Sequence, residues 1–458
     1  MIAARRPTPV SFWWEGVERP SRAALASALS VDVCIIGAGF TGLWTAYYLA
    51  LADPTLRIAI VEARHVGYGA SGRNGGWLTN SVTGGVEQYV ATHGIEAAQR
   101  QQTALTQAVD EVIAVAAGEG IDTGIAKGGE LIVARNDAQV ARLRKEYEAA
   151  ARWRDTDWEW LDAHDAARRI SIEGAQAAMW QPHCAVLQPA QLVVGLARAV
   201  EARGVVIYEN SPATNIAPGS VETARGRVRA LHVIRATEGF TATLPGQRRT
   251  WLPLNSSLMI TDPLPAKVLD AINWSGREAL SDAAHVYIYA QRTADSRIAL
   301  GGRGIPYRFG SRIDTDGATP QFTVEALRNK LHELFPETRG IGIARAWSGV
   351  LGVPRDWSAA INYDPNTRLG YAGGYVGTGV TATHLAGRTL ADLILGRSTD
   401  RTTLPWVGHR ARRWEPEPAR WLGVSATYAA FRRADRNEDQ GGSRTSRWAR
   451  IATAVSGH

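Results

Sequence analysis

Val31-Asp32-Val33-Cys34-Ile35-Ile36-Gly37-Ala38-Gly39-Phe40-Thr41-Gly42 is the stretch on which the fold turns. Its first half is a short apolar, β-rich run, and its second half is a GxGxxG motif that breaks the run. Leu43 to Ala52 has helical composition, Asp53-Pro54 ends it, and Arg57-Ile58-Ala59-Ile60-Val61 reads as the next strand. Strand, crossover helix and strand within about thirty residues make a βαβ unit, the signature of a parallel sheet. Glu62 stands at the tip of the second strand, twenty residues past Gly42. Gly37, Gly39 and Gly42 permit a tight turn whose backbone N–H groups approach a pyrophosphate at the helix N-terminus. A carboxylate at Glu62 accepts hydrogen bonds from the ribose hydroxyls of an adenosine. A glycine-rich turn without a ligand would not require a carboxylate at that offset. The stretch predicts a dinucleotide site.

FAD and NAD both satisfy that fingerprint, so the residues downstream matter. Gly69-Ala70-Ser71-Gly72-Arg73-Asn74-Gly75-Gly76 follows the second strand almost at once. Its small residues let backbone come close to a flat or phosphorylated ligand, and Ser71, Arg73 and Asn74 supply donors. An ordinary flexible loop explains the glycines but not the polar cluster. Far along the chain, Gly373-Gly374-Tyr375-Val376-Gly377-Thr378-Gly379-Val380 precedes an Ala-rich helical segment. The N-terminal dipole of that helix would stabilise negative charge on a ligand.

The remainder of the chain bounds the possibilities. At 458 residues, two or three structural units are expected. Cys34 and Cys184 form no CxxC pair, which excludes a disulfide scaffold, a four-cysteine zinc site and a redox-active disulfide. No metal site is expected. Arg5-Arg6 is followed by Pro7 and Pro9 without an apolar run, so a leader peptide is not indicated. Val31 to Ala52 is nearly long enough to span a bilayer, but Asp32 and the three motif glycines favour strand, turn and helix. A cytoplasmic, soluble protein is expected. The net charge of +7 is concentrated in Arg401 to His458, where eleven arginines face five acids. No basic face or recognisable module on the body points to nucleic acid.

These stretches are similar to the FAD-dependent amine and amino-acid oxidoreductases of the D-amino-acid oxidase type. The branch containing γ-glutamylputrescine oxidase is the nearest resemblance, with glycine and sarcosine oxidases more distant. Val33–Gly42, Val61-Glu62-Ala63-Arg64, Val66–Gly76, Pro189–Ile207, Val233–Thr237 and Gly373–Asp392 carry it. The resemblance implies FAD held by Gly37, Gly39, Phe40, Thr41 and Gly42 at the pyrophosphate and by Glu62, Ala63 and Arg64 at the adenosine. Gly69, Ala70, Ser71, Arg73, Asn74, Gly75 and Gly76 would run under the flavin, and Ala213 would contact adenine. Ala236-Thr237 would close the strand below the pyrophosphate. Gly374, Tyr375, Gly377, Thr378, Gly379 and Val380 would line the ribityl and pyrimidine end. Some relatives tether the flavin through a cysteine, but Ala344 to Arg355 contains none, so non-covalent FAD is implied.

The expected fold class is α/β, with a discontinuous Rossmann-type FAD-binding domain and a mixed-sheet α+β substrate domain. The nucleotide domain is expected over 31–85, 186–245 and 340–400. The substrate domain is expected over 86–185 and 246–339, with an N-terminal arm at 1–30 and a basic extension at 401–458. No second GxGxxG in strand–helix context and no Gly-Asp dipeptide occurs, so electrons are expected to come directly from an organic substrate. The resemblance implies an amine or amino acid, hydride transfer from its Cα–H to flavin N5, and an imine that hydrolyses to a carbonyl. A 2-hydroxy-acid dehydrogenase on the same scaffold and a flavoprotein subunit without turnover remain as alternatives.

Candidate catalytic residues come from the middle of the chain. In His285-Val286-Tyr287-Ile288-Tyr289-Ala290-Gln291, strand alternation puts His285, Tyr287, Tyr289 and Gln291 on one face, turned either to the flavin pocket or to solvent. Arg303 is placed either to pair bidentately with a substrate carboxylate or at the surface. Trp347 either stacks beside the ring or packs in the core. Sarcosine-oxidase-like relatives use a lysine above the flavin for oxygen, and none of the four lysines falls near Tyr287–Arg303 or Trp347. The acceptor is therefore O2 or an electron carrier. In the tail, Trp421, Val424, Tyr428 and Phe431 recur at helical spacing beside Arg420, Arg432, Arg433 and Arg436. That stripe packs on the protein's own surface or forms a basic helix that lies on a membrane or a partner. Purified protein is expected to be yellow, and acid precipitation to release its FAD into the supernatant. Flavin retained in the precipitate would show a covalent link, and colourless protein unable to take up FAD would overturn the cofactor reading.

Overall fold

The computed structural model describes residues 10–302, 304–313, 316–442 and 444–456. The opening stretch forms the strand Leu29–Ile36 and the helix Phe40–Ala52, and the strand Ile58–Val61 follows. Alternation along the first strand divides it between two layers. Val33 and Ile35 join the core beneath the helices, whereas Cys34 and Ile36 pack with Val61, Val221, Val228 and Val233 on the other face. Leu29–Ile36 pairs in parallel with Ile58–Val61 on one side and Arg227–Arg235 on the other. Val206–Tyr208 and Leu369–Gly373 extend the parallel sheet outward at the two ends. Ala360–Asp364 adds an antiparallel edge, and the hairpin Ala213–Ala217/Ser220–Thr223 folds back on Arg227–Arg235. The helices Pro189–Glu201 and Gly379–Ile394 pack against Phe40–Ala52.

A second eight-stranded sheet runs in the order Ile343–Val353, Leu252–Thr261, Ile298–Gly302, Tyr289–Arg292, Ala279–Asp282, Glu130–Ala134, Ala177–Gln181, Glu159–Asp162. Only the pair Ala279–Asp282 and Glu130–Ala134 is parallel, so this sheet is mixed. Two sequence expectations are corrected here. Ile343–Val353 was expected within the nucleotide-binding segment 340–400, but it pairs along nearly its whole length with Leu252–Thr261 and belongs to the second sheet. The strand expected from His285 begins only at Tyr289. The reason is local: the Asp435 carboxylate accepts the N–H groups of His285 at 2.8 Å and of Val286 at 3.0 Å, which removes both donors from any ladder.

The chain beyond residue 400 is integrated into this body. Trp406 is buried, and its carbonyl accepts the Ile361 N–H at 3.0 Å. Trp414 donates its indole N–H to Val353 O at 2.7 Å, and Arg249 donates to Trp414 O at 2.6 Å. Glu417 accepts from the Tyr307 hydroxyl and from Arg420, which is itself buried. The helix Ala419–Asp439 then spends most of its apolar stripe on the protein. Val424 is buried, Tyr428 packs in the same cluster, and the Phe431 ring stacks on His285 at 5.7 Å. Trp421 and Leu422 stay exposed, as do Arg432, Arg433 and Arg436. Among the described residues no helix is long and apolar enough to cross a membrane.

Glu438 locks the far end of this helix. Its buried carboxylate accepts from Arg142 at 3.0 Å and lies 2.9 Å from His285 Nε2. Burial would raise its pKa, but the hydrogen bonds from His285 and Arg142 outweigh burial and hold it below the ordinary value. A depressed carboxylate contributes stability above its unfolded pKa and loses it as pH falls through the folded one. Glu438→Ala removes the charged acceptor shared by Arg142 and His285 and is expected to cost about 1–3 kcal/mol at neutral pH. Urea unfolding measured at pH 7 and again below pH 4 should show that difference shrinking in acid. An equal difference at both pH values would count against the ionic latch.

Candidate functional site

The parallel strands deliver their carboxyl ends to one edge, where ligands bind in open α/β sheets. Gly37 follows Leu29–Ile36, Glu62 follows Ile58–Val61, Ala236-Thr237-Glu238 follows Arg227–Arg235, and Gly374-Tyr375 follows Leu369–Gly373. A cleft of ≈ 480 Å³ runs along that edge. Gly37, Gly39, Phe40 and Thr41 line it with Glu62, Ala63, Arg64, Ala213, Ala236 and Thr237. Gly69, Ala70, Ser71 and Asn74 line it from the loop, and Tyr375, Gly377, Gly379 and Val380 from the C-terminal run. Gly42, Arg73, Gly75, Gly76, Gly374 and Thr378 are not among the residues that line it.

The turn is built by close approach. A Cβ on Gly42 would overlap the Gly37 carbonyl, and Gly37 has φ 109°, a region that L side chains rarely adopt. Gly39 is the N-cap of Phe40–Ala52 without a side-chain cap of its own. The Ser71 hydroxyl instead reaches over from the loop and accepts the Phe40 N–H at 2.9 Å. Glu62 accepts the N–H of Ala38 at 2.9 Å and of Arg64 at 2.8 Å, one at each oxygen. Each oxygen keeps lone-pair capacity for a ribose hydroxyl. Burial pushes the Glu62 carboxyl above its ordinary range, with those two backbone donors pulling the other way.

The Gly69–Gly76 loop is clamped from the second sheet. Arg73 is buried, donating to Tyr68 O at 2.8 Å and to Ser348 O at 3.3 Å, with its guanidinium over the Tyr68 ring. Its side chain is thus committed to the scaffold rather than offered to the cleft. Trp347 donates to Arg73 O at 2.8 Å and meets Trp13 edge-on, so it packs in the core behind the loop. Gln291 donates to Gly75 O at 2.6 Å. Glycines at 75 and 76 leave the room that Tyr289 and Gln291 occupy.

Tyr289 is the candidate that reaches the loop. Its ring lies against Gly75 and edge-on to Trp77, and its hydroxyl is 2.8 Å from Ser256 Oγ. Tyr287 does not share that face: it lies outside the strand and is 44% exposed. Arg303 lies outside the described residues. No lysine lines the cleft. The C-terminal run closes the other end, with the Tyr375 hydroxyl 3.2 Å from Thr41 Oγ1 and Thr378 capping Gly379–Ile394. Sequence reasoning missed Tyr68, Phe240, Val350, Leu351 and above all Glu238, all of which line the cleft. For Glu238 a signal existed: an acid just past a parallel strand, as at Glu62.

A parallel sheet with a glycine turn, a ribose-binding carboxylate at the next strand tip and a long cleft over both defines a dinucleotide-binding protein. Residues 32–393 match the family described as FAD dependent oxidoreductase. The chain belongs to that family, and it is an FAD-dependent oxidoreductase of the amine and amino-acid oxidase type. It is 31% identical over 386 residues to gamma-glutamylputrescine oxidoreductase of Escherichia coli (strain K12), covering 81% of this chain and 85% of that one. Among solved structures it resembles glycine oxidase from Geobacillus kaustophilus, with a TM-score of 0.70 at 20% identity over 84% of this chain and 100% of that one. L-proline dehydrogenase from P. horikoshii follows, with a TM-score of 0.68 at 17% identity over 83% and 98%.

The donor set suits FAD. Backbone N–H groups at the start of Phe40–Ala52 suit a diphosphate, Glu62 suits the ribose, and the cleft continues past the diphosphate to Tyr375 and Val380. Gly39→Val is expected to abolish FAD binding, because a Cβ there already stands 2.9 Å from Ser71 Oγ and further atoms would enter the cleft. Far-UV circular dichroism should remain that of the parent. Normal flavin content in this variant would remove Gly39 from the phosphate site.

Proposed function

We propose that the protein oxidises a C–N bond of a small amine or amino acid, with FAD bound non-covalently. The observation that carries this reading is Tyr289, which brings a polar aromatic group of the second sheet against the Gly69–Gly76 loop. The relatives named above, and iminodiacetate oxidase at a TM-score of 0.65, are all named for nitrogen-bearing compounds. Non-covalent binding is supported by the thiols: Cys34 and Cys184 are both buried away from the cleft, and burial pushes the Cys34 thiol up to about 12.

Bound FAD supplies the two-electron acceptor. The protein's part is to hold the substrate carbon over the cofactor and keep the amine neutral. A desolvated pocket lowers an amine pKa and frees its lone pair, so no strong protein base is required. Tyr289 and Ser256 orient the substrate by hydrogen bonding, and the packed wall of Trp77 and Gly75 excludes water. The resulting imine hydrolyses in water to a carbonyl compound and an amine or ammonia. O2 or an electron carrier then takes the electrons.

Anaerobic flavin bleaching across a panel of amines, amino acids and 2-hydroxy acids tests the reading. Bleaching by an amine with release of ammonia or a smaller amine is expected. Bleaching by hydroxy acids alone would replace it with the 2-hydroxy-acid dehydrogenase, and bleaching by nothing with a subunit lacking turnover. Tyr289→Phe should lower kcat/KM for the best amine about tenfold, the loss of one hydrogen bond, with flavin content unchanged. An unaltered kcat/KM would remove Tyr289 from the substrate site.

A further inference from the structure

Glu238 follows the strand Arg227–Arg235 much as Glu62 follows Ile58–Val61, and it lines the same cleft. Its two carboxylate oxygens reach different segments. Oε1 accepts the Gly352 N–H at 3.2 Å, and Oε2 accepts the Gly374 N–H at 2.9 Å. The Tyr375 backbone beside it also favours its charged form. Gly352 lies near the end of a strand of the second sheet, whereas Gly374 and Tyr375 open the loop that leads into Gly379–Ile394. One side chain therefore ties the second sheet to the loop that closes the cofactor cleft.

The surroundings are shaped to admit that carboxylate. A Cβ on Gly373 would stand 2.7 Å from Oε2, and one on Gly352 would stand 3.2 Å from it. The backbone of Glu238 itself has φ 39°, and that of Val376 in the loop has φ 50°. Such conformations persist in non-glycine residues only where neighbouring contacts hold them, and they cluster at ligand sites. Burial pushes the Glu238 carboxyl up to about 7, against the neighbouring backbone N–H groups and the nearby Arg235. Arg235 is itself half-buried between the rings of Trp251 and Tyr371, at 5.1 and 4.7 Å from their centroids. An acid facing a diphosphate is unfavourable unless its charge is compensated, and the Gly352 and Gly374 N–H groups supply that compensation here.

We propose that Glu238 is a cofactor-positioning residue whose carboxylate fixes the Gly374-Tyr375 loop against the second sheet and thereby sets the affinity for FAD. Through that loop it places the Tyr375 hydroxyl beside Thr41 and aims the start of Gly379–Ile394 at the cleft. Without the carboxylate, the strained Val376 backbone is free to relax and the far wall of the cleft loses its reference point.

The test is release of FAD from the holoprotein, followed as recovery of flavin fluorescence on dilution. Glu238→Gln keeps the shape and one acceptor oxygen, whereas Glu238→Ala removes both. Release is expected to accelerate about tenfold in Glu238→Gln and about a hundredfold in Glu238→Ala, one factor of ten for each lost charge-assisted bond. The visible circular dichroism of the bound flavin should change in Glu238→Gln, while urea unfolding of the apoprotein overlays the parent. Release within about twofold of the parent in Glu238→Gln would overturn the proposal, since each such bond is expected to change it far more. So would faster release accompanied by an equal loss of apoprotein stability. If Glu238→Ala does not fold, Glu238→Gln decides alone. A parent protein that binds no FAD would overturn the cofactor assignment and this role with it.

Discussion

Three backbone segments meet at Gly37, and the rest of the site is arranged around that contact. A Cβ on Gly42 would occupy the Gly37 carbonyl, and a Cβ on Gly37 would meet the Ala236 carbonyl. The first strand, the start of its helix and the end of the neighbouring parallel strand are therefore held at backbone distance. The N-terminus of that helix is thereby set at the carboxyl edge of the sheet, which makes the edge attractive to an anion before any charged side chain is added. It also explains how two carboxylates, Glu62 and Glu238, line a cleft meant for a diphosphate. Each is bound by backbone N–H groups, so each presents acceptors whose charge is already compensated.

The second sheet is registered to the first through the loop that borders the cofactor. Trp347 and Gln291 donate to the carbonyls of Arg73 and Gly75, and Arg73 answers by donating to Ser348. These are fixed bonds between buried groups rather than sliding contacts. A shift of the second sheet would break them while their partners stay out of water, and such shifts are costly. The distance between Tyr289 and the cofactor edge is thereby set by the fold. The glycine pair Gly75-Gly76 has a double explanation as a result: it thins the loop for a ligand and leaves space for Tyr289 and Gln291 behind it.

What could be read from the sequence was what depends on neighbouring residues. The strand–turn–helix of Leu29–Ala52, the carboxylate at Glu62 and the cleft-lining loop are all local patterns, and they were legible. The pairing of Ile343–Val353 with Leu252–Thr261 joins segments far apart in the chain, and no local pattern in either announces it. Trp347 could be read as a ring contact or as core, whereas Arg73 was read as a donor to the cofactor. Both are buried, with their polar atoms bonded to backbone carbonyls. Glu238 was passed over because a lone acid after a strand has no motif around it. Its meaning comes from Gly352 and Gly374, more than a hundred residues later.

The clearest case of a distant cause is the choice of tyrosine. Alternation alone puts Tyr287 and Tyr289 on one face of a single strand. Asp435, on the tail helix, takes the N–H groups of His285 and Val286, and Asp282 takes that of Ile288 at 3.0 Å. With those donors spent, pairing begins at Tyr289, where Ala290 and Gln291 continue it against Ile298–Gly302. Tyr287 is left at the surface and Tyr289 at the cofactor loop. The tail lies beyond the residues that match the family, yet its carboxylates decide which aromatic side chain the second sheet turns inward. Trp414 and Glu438 fasten the two ends of that same segment to Val353 and Arg142. The extension is thus part of the scaffold that holds Tyr289, and Arg432, Arg433 and Arg436 are carried on the exposed side of a helix whose inner face is already engaged.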